Sequence, residues 1–334
     1  MSGVQIPPPL PKKMLQTIKN TLTNKKFHTF FKIIAFISVI YILSQKLSYE
    51  NILNSFEFSS YIFLILLLIF LIRSISMVFT FLRWQNLLYS KNKNKVSFNA
   101  LLAPLLYSEL TLQFGFLGQV FSRAVLTKKN IDLNLIVSST IVEKIISASI
   151  LIFLSFITLT IYLFIFGLIN SVLISSYIAI SILIIIFLIS IYLIDKNNFQ
   201  LIQNLNKIFI IKYFAHYLEL RLIKLSFLYS LIIQILGLVT LFLTSLIFNF
   251  DFSFIQFILL MPLALLVANI PITFFQFGWR ELVFMYVFNI LLITNEEIFL
   301  IGFSLGLAGG FTSIVHVLIY ESILIIKKLN LAKK

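Results

Sequence analysis

Long apolar runs separated by short polar connections set the pattern of this chain from residue 27 onward. A helix needs about 20 mostly apolar residues to cross a bilayer core of roughly 30 Å. On that measure the runs over about 27–43, 60–82, 131–166, 171–194, 225–248 and 298–326 predict six full spans. Two further apolar stretches, 98–121 and 254–293, are interrupted. The first contains Pro104, Glu109, Gly115 and Gly118; the second contains Pro271 and Gly278, followed at once by Arg280–Glu281. Lipid tolerates irregular backbone only where protein or a water-filled cavity satisfies the freed N–H and C=O groups. The predicted fold is therefore all-α: a polytopic membrane bundle of six full spans plus two broken or re-entrant hairpins, eight hydrophobic segments in all.

Composition agrees. The 334 residues are 60% hydrophobic and 11% charged, with a mean hydropathy of +1.04. Soluble domains carry about 25% charged residues. The absence of cysteine excludes a disulfide, a thiolate nucleophile and a Cys-ligated metal.

The formal net charge of +14 would suggest nucleic acid in a soluble protein, but its distribution follows the membrane. With both termini in the cytoplasm, 22 of the 26 basic residues fall on cytoplasmic segments and only Lys46 falls outside. Arg73, Lys144 and Arg280 are left within apolar runs. This is the positive-inside distribution, so the expectation is a multi-pass protein of the inner cell membrane with no nucleic-acid partner. Residues 1–26 read as a flexible cytoplasmic leader, 27–326 as the transmembrane domain with its halves divided near 195–224, and 327–334 as a cytoplasmic tail. The first interrupted stretch has basic clusters at both ends, so it enters and leaves from the cytoplasm. The second has acidic connections at both ends, so it enters and leaves from outside. Opposed broken hairpins are what an inverted repeat predicts.

Charges inside apolar runs are the candidate chemistry, because an ionised side chain at the bilayer centre costs roughly 3 kcal/mol or more. Arg280 could grip a phosphate through both arms of its guanidinium, and Glu281 could pair with another arginine or an amine. As helix neighbours pointing about 100° apart, the two need not bond each other. Arg123 reads either as a headgroup contact or as a positive-inside anchor, and Glu143–Lys144 either as site residues or as an interfacial pair. Glu109 needs a partner or a proton if it is buried. Arg73 reads as a side chain snorkelling from an apolar helix, Trp84 as an interfacial belt residue, and His316 and Gly309–Gly310 as packing features. The three histidines, His28, His216 and His316, are scattered, so no metal site is expected. No nucleophile–base pair or acidic dyad is apparent either, and the expectation is a non-enzyme without a cofactor.

Three patches together resemble the flippase-like transmembrane domain of the lysylphosphatidylglycerol synthases. They are Arg83-Trp84-Gln85-Asn86-Leu87-Leu88; Gly115-x-x-Gly118-Gln119-x-x-x-Arg123 with Glu143-Lys144 twenty residues on; and Asn269-x-Pro271 with Gly278-x-Arg280-Glu281. In the family pattern a proline stands at Phe114, a glutamate at Gln119, an arginine at Lys144 and often an aspartate at Ser147; a glycine pair stands at Phe275–Gln276. The synthase's aminoacyl-transfer domain is absent from this sequence. The resemblance implies lipid translocation across the bilayer, with Arg280, Glu281, Arg123, Gln119, Glu143 and Glu109 contacting an anionic or lipid-linked headgroup. The alternative is a non-transporting scaffold serving glycosyltransferases or other partners in glycolipid or envelope-polysaccharide assembly.

Overall fold

A computed structural model of the chain describes residues 25–54, 59–89, 98–112, 116–127, 131, 133–167, 173–184, 220–248, 250, 253–270, 277–291 and 293–332. Within them the chain runs as helices with no strand. In order these are α1 (Lys25–Lys46), α2 (Tyr49–Asn54), α3 (Ile62–Tyr89), α4 (Phe98–Thr111), α5 (Phe116–Leu126), α6 (Leu133–Phe166), α7 (Leu173–Ile184), α8 (Leu220–Ser245), α9 (Phe254–Ala268), α10 (Trp279–Phe288) and α11 (Asn295–Ala332). A short 3-10 turn, Asn289–Leu291, follows α10.

Four helices, α3, α6, α8 and α11, hold stretches long and apolar enough to cross a membrane: Ile62–Leu88, Leu135–Phe166, Lys224–Ser245 and Asn295–Ile326. The shortest has 22 residues and rises about 33 Å at roughly 1.5 Å per residue. They are apolar all round, as expected of helices solvated by lipid. Large apolar side chains such as Phe63 and Phe164, 84% and 90% exposed, make up the outer face. The two other predicted spans correspond to α1 and α7; residues 185–194 of the latter, and the 195–219 part of the dividing loop, lie outside the described residues.

The two interrupted stretches form helix pairs, α4 against α5 and α9 against α10. Their 14, 11, 15 and 10 residues rise only about 21, 17, 23 and 15 Å, so none of the four crosses a core of about 30 Å alone. The breaks differ from the expectation in one respect. Pro104 lies inside α4 and does not interrupt it. A proline removes one backbone donor, and the flanking apolar turns carry the helix through, as is common in membrane spans. Gly118 likewise lies inside α5, at its third residue, where the backbone N–H has no intrahelical acceptor in any case. The break falls between Thr111 and Phe116 instead, and Thr111 ties its two sides together. Its hydroxyl donates to the Gly118 carbonyl at 3.0 Å and shares a 2.6 Å hydrogen bond with Ser122. Gly115 and Pro271 lie outside the described residues.

Gly278 is a true break. Its φ of +80° suits glycine, and an added Cβ would meet Val39 Cγ1 of α1 at 2.6 Å. Trp279 Nε1–H then donates to the Val267 carbonyl at 3.1 Å, closing α10 back onto the end of α9. At the start of α11, the Thr294 hydroxyl accepts the Glu297 N–H at 3.3 Å while the Glu297 carboxylate accepts the Thr294 N–H at 2.9 Å, a reciprocal helix cap.

Buried apolar side chains tie these pieces together. Phe257, Phe284, Phe288, Leu159 and Tyr162 join the α9–α10 pair to α6. Trp84, Leu87, Leu101, Leu105 and Ile136 join α3 to α4 and α6. The consequence for the polar residues is that α11 packs against both broken pairs, on α4 of the first and α10 of the second, while α3 packs against α4, α6 and α11.

Candidate functional site

Charged side chains from α3, α4, α5, α6 and α10 lie inside this apolar bundle in two bonded groups with Glu109 in electrostatic reach of both, a row we call the polar path. At one end is Glu143, buried on α6, whose carboxylate accepts from two guanidiniums at once. Arg83 Nη2 of α3 donates to Oε1, and Arg123 Nη1 of α5 donates to Oε2 at 2.7 Å. Arg83 Nη1 also donates to Ser147 at 2.7 Å and to Ser230 of α8 at 2.8 Å. Arg123 adds Ser108 and Thr140, each at 3.2 Å. Its guanidinium lies 4.5 Å from the ring of Trp84, whose Nε1–H donates to Ser139 at 3.2 Å. Glu143 thus joins three helices, with α4 and α8 reached through serine hydroxyls.

The junction is saturated with bonds yet leaves donors over. Among the described residues, Arg83 Nε, Arg123 Nη2 and both ends of the Gln119 amide are buried and without a hydrogen-bond partner. Gln119 stands one turn before Arg123 on the same face of α5. Lys144, half-buried, has no salt bridge among the described residues but feels the charges of Glu143, Glu109, Arg83 and Arg123.

The other end of the path lies on α11. Gly302, Gly306 and Gly309 recur at helical spacing and present one bare stripe. Glu281 and Phe284 rest on Gly302, the Arg280 guanidinium on Gly306 and the Arg73 guanidinium on Gly309. The Arg280 contact is so close that an added Cβ at Gly306 would come within 2.1 Å of Nη2, whereas the space at Gly310 is open. Arg73 Nε donates to Thr312 at 3.0 Å, one turn beyond Gly309, and the neighbouring Ser74 hydroxyl shares a 2.8 Å hydrogen bond with His316 Nε2. Arg280 and Glu281 do bond each other, through Nε at 3.2 Å and Nη2 at 3.0 Å to Oε1. The arginine is long enough to fold back once Glu281 is pinned, because Oε2 accepts the Gly278 N–H at 2.6 Å.

Glu109 of α4 connects the two ends. Its charge reaches both Arg73 and Lys144, and Arg280 also acts on Arg73. The carboxylate is half-buried and makes no hydrogen bond among the described residues. Arg73 and Arg83 are ten residues apart on α3, so the two ends are separated by about 15 Å of helix rise.

Of the six side chains singled out for substrate contact, the structure joins Arg123 to Glu143 and Arg280 to Glu281, sets Glu109 between the pairs and buries Gln119 a turn from Arg123. It also brings in residues read differently from the sequence. Trp84 is fully buried beneath Arg123, not on the outer surface where a belt residue would stand. Arg73 turns into the bundle and does not snorkel along its outer face, because the bare stripe on α11 gives it room. Arg83, read from the sequence only as part of a motif and a basic cluster, is the second ligand of Glu143. Gly306 carried no sequence signal beyond its four-residue spacing from Gly302 and three-residue spacing to Gly309.

The family model described as "Lysylphosphatidylglycerol synthase TM region" matches residues 29–325. No curated protein matches the chain, and no solved structure does. The match takes in every described element from α3 to α10 and the whole polar path, and the chain belongs to the family of the lysylphosphatidylglycerol synthase transmembrane region.

Proposed function

We propose that this protein is a lipid translocase that passes the anionic headgroup of a phospholipid or lipid-linked intermediate along the polar path while the acyl or prenyl chains stay in lipid. One observation carries the reading: among the described residues, the carboxylates that face Arg73, Arg83, Arg123, Lys144 and Arg280 are Glu109, Glu143 and Glu281, which leaves a positive excess inside a membrane bundle. Uncompensated charge in low dielectric is costly, and an anionic group relieves it. The family match supports a role with lipids, and the two helix pairs too short to span support a path that opens from either face. In this reading both termini face the cytoplasm, as the basic residues require.

Arg280 is the side chain to test. It is 9% exposed, and its Nη1 makes no hydrogen bond among the described residues, so one arm remains for a headgroup oxygen. Arg280→Lys keeps the charge and loses the fork. A charge-assisted hydrogen bond is worth about 1.5–3 kcal/mol, so transport of a labelled anionic lipid in reconstituted vesicles should fall roughly ten- to a hundredfold. A scaffold would tolerate lysine freely and show its alanine defect in assembly or expression. Equal transport by wild type, Arg280→Lys and Arg280→Ala at matched protein levels ends the translocase reading.

A further inference from the structure

The Glu143 junction has more than a general preference for anions; it has a count. Three buried N–H donors, Arg83 Nε, Arg123 Nη2 and Gln119 Nε2, have no acceptor among the described residues. Two belong to side chains bonded to Glu143 and the third stands a turn away on α5. Lys144, next to Glu143 on α6, lies within electrostatic reach of the same group and adds a third cation to it. At the junction, among the described residues, Arg83, Arg123 and Lys144 stand against Glu143, with Glu109 shared with Arg73 at the other end, so two positive charges have no carboxylate of their own. A buried donor left without an acceptor is destabilising, and so is a buried cation without a counter-charge.

We infer that this junction receives a terminal phosphate with two negative charges, the phosphate monoester or diphosphate end of a lipid, in preference to a singly charged phosphodiester or a headgroup bearing an amine. A terminal phosphate offers three non-ester oxygens, matching the three orphaned donors, and its second charge matches the excess. The Gln119 carbonyl oxygen, also without a partner, accepts the hydroxyl of a singly protonated diphosphate end, which still carries two negative charges. A diester offers two free oxygens and one charge, leaving one donor and one cation unmet. An aminoacylated or ethanolamine headgroup adds a cation to a site already in excess. The inference rests on the translocation reading only in taking a lipid as the source; the chemistry recognised is that of any dianionic terminal phosphate.

Ser147 and Gln119 make the inference testable without tearing the junction apart. Ser147 accepts from Arg83 at 2.7 Å, so Ser147→Asp adds a carboxylate where a guanidinium already waits. Gln119→Glu adds a second beside Arg123. The double variant cancels the excess and should keep or raise thermal stability. Calorimetric titration of the full chain in detergent at pH 8 would compare dihexanoyl phosphatidic acid, dihexanoyl phosphatidylglycerol and inorganic phosphate. The phosphatidic acid should bind at least tenfold tighter than each of the others, and the double variant should lose that advantage. Equal affinity for phosphatidic acid and phosphatidylglycerol in the wild type overturns the inference, whatever the variant does. So does an advantage that survives in a folded double variant. Inorganic phosphate binding as tightly as the lipid overturns the lipid source. In vesicles, transport of the two lipids at equal rates defeats this inference and leaves translocation standing. Selective binding without any transport supports the inference and defeats translocation.

Discussion

Glu143→Gln is the sharpest test of how the polar path is held together. The substitution keeps the shape of the side chain and one acceptor oxygen while removing the charge that two guanidiniums share. Glu143 is 1% exposed and Arg123 fully buried, so water does little to relieve the loss. The new amide N–H2 also turns a donor toward one of two arginines that can only donate. Breaking a buried pair from one side costs about 3–5 kcal/mol, and two partners on one carboxylate put the expected loss toward the upper part of that range. At roughly 2–4 °C per kcal/mol for a large domain, the melting temperature in detergent should drop on the order of 10 °C. A double-mutant cycle with Arg123→Gln sharpens the result. Once its partner is gone, Arg123 is a liability, so the double variant should be more stable than the summed single losses predict by about 1 kcal/mol or more. Additivity within about 0.5 kcal/mol, or an unchanged melting temperature for Glu143→Gln, would refute the view that this carboxylate is the electrostatic hub of α3, α5 and α6.

Two further outcomes are expected. Gly306→Ala should displace the Arg280 guanidinium, whose Nη2 lies 2.1 Å from the position of the new Cβ, and so reproduce the transport defect of Arg280→Ala. Gly310→Ala, with nothing within 4 Å, should transport normally, and equal behaviour of the two alanines would remove the guanidinium seat from the account. A cysteine introduced at Asn204 should resist an impermeant thiol reagent in intact cells and react after permeabilisation. The native chain contributes no background label, and labelling in intact cells would reverse the orientation drawn from the positive-inside distribution.

Much of the architecture was legible because it depends on local pattern. Apolar length alone marks α3, α6, α8 and α11, and the lack of one long uninterrupted run marks the two broken pairs. The candidate site was only half legible. Arg280, Glu281, Arg123 and Glu143 stand out because charge is rare in apolar sequence. Arg73 is as much a charge in an apolar run as Arg280, but its seat is set by Gly309, 236 positions away, and no local feature separates a snorkelling arginine from one turned inward. Arg83 looked like the basic edge of a span because α3 was expected to end near residue 82, whereas the helix continues to Tyr89. Trp84 followed the same error. The apparent breakers misled in the opposite sense. Pro104 is the stronger helix breaker on propensity, yet α4 runs through it and ends at Thr111. The hydroxyl of that threonine bonds across the break to Gly118 and Ser122, a partnership that no propensity scale records.

The bare stripe on α11 also makes residues far apart in the chain behave as one heritable unit. The side chains tolerated at 306 depend on what stands at 280, because the two occupy the same few cubic ångströms. A methyl group at 306 displaces the guanidinium when arginine stands at 280 and has nothing to displace when alanine does. Position 309 stands in the same relation to Arg73, though more loosely, with 3.2 Å where 306 has 2.1 Å. Substitutions along this stripe are therefore expected to show strong epistasis with 280 and weaker epistasis with 73, and a scan of single changes would assign to glycines on α11 a cost that belongs to the arginines lying on them.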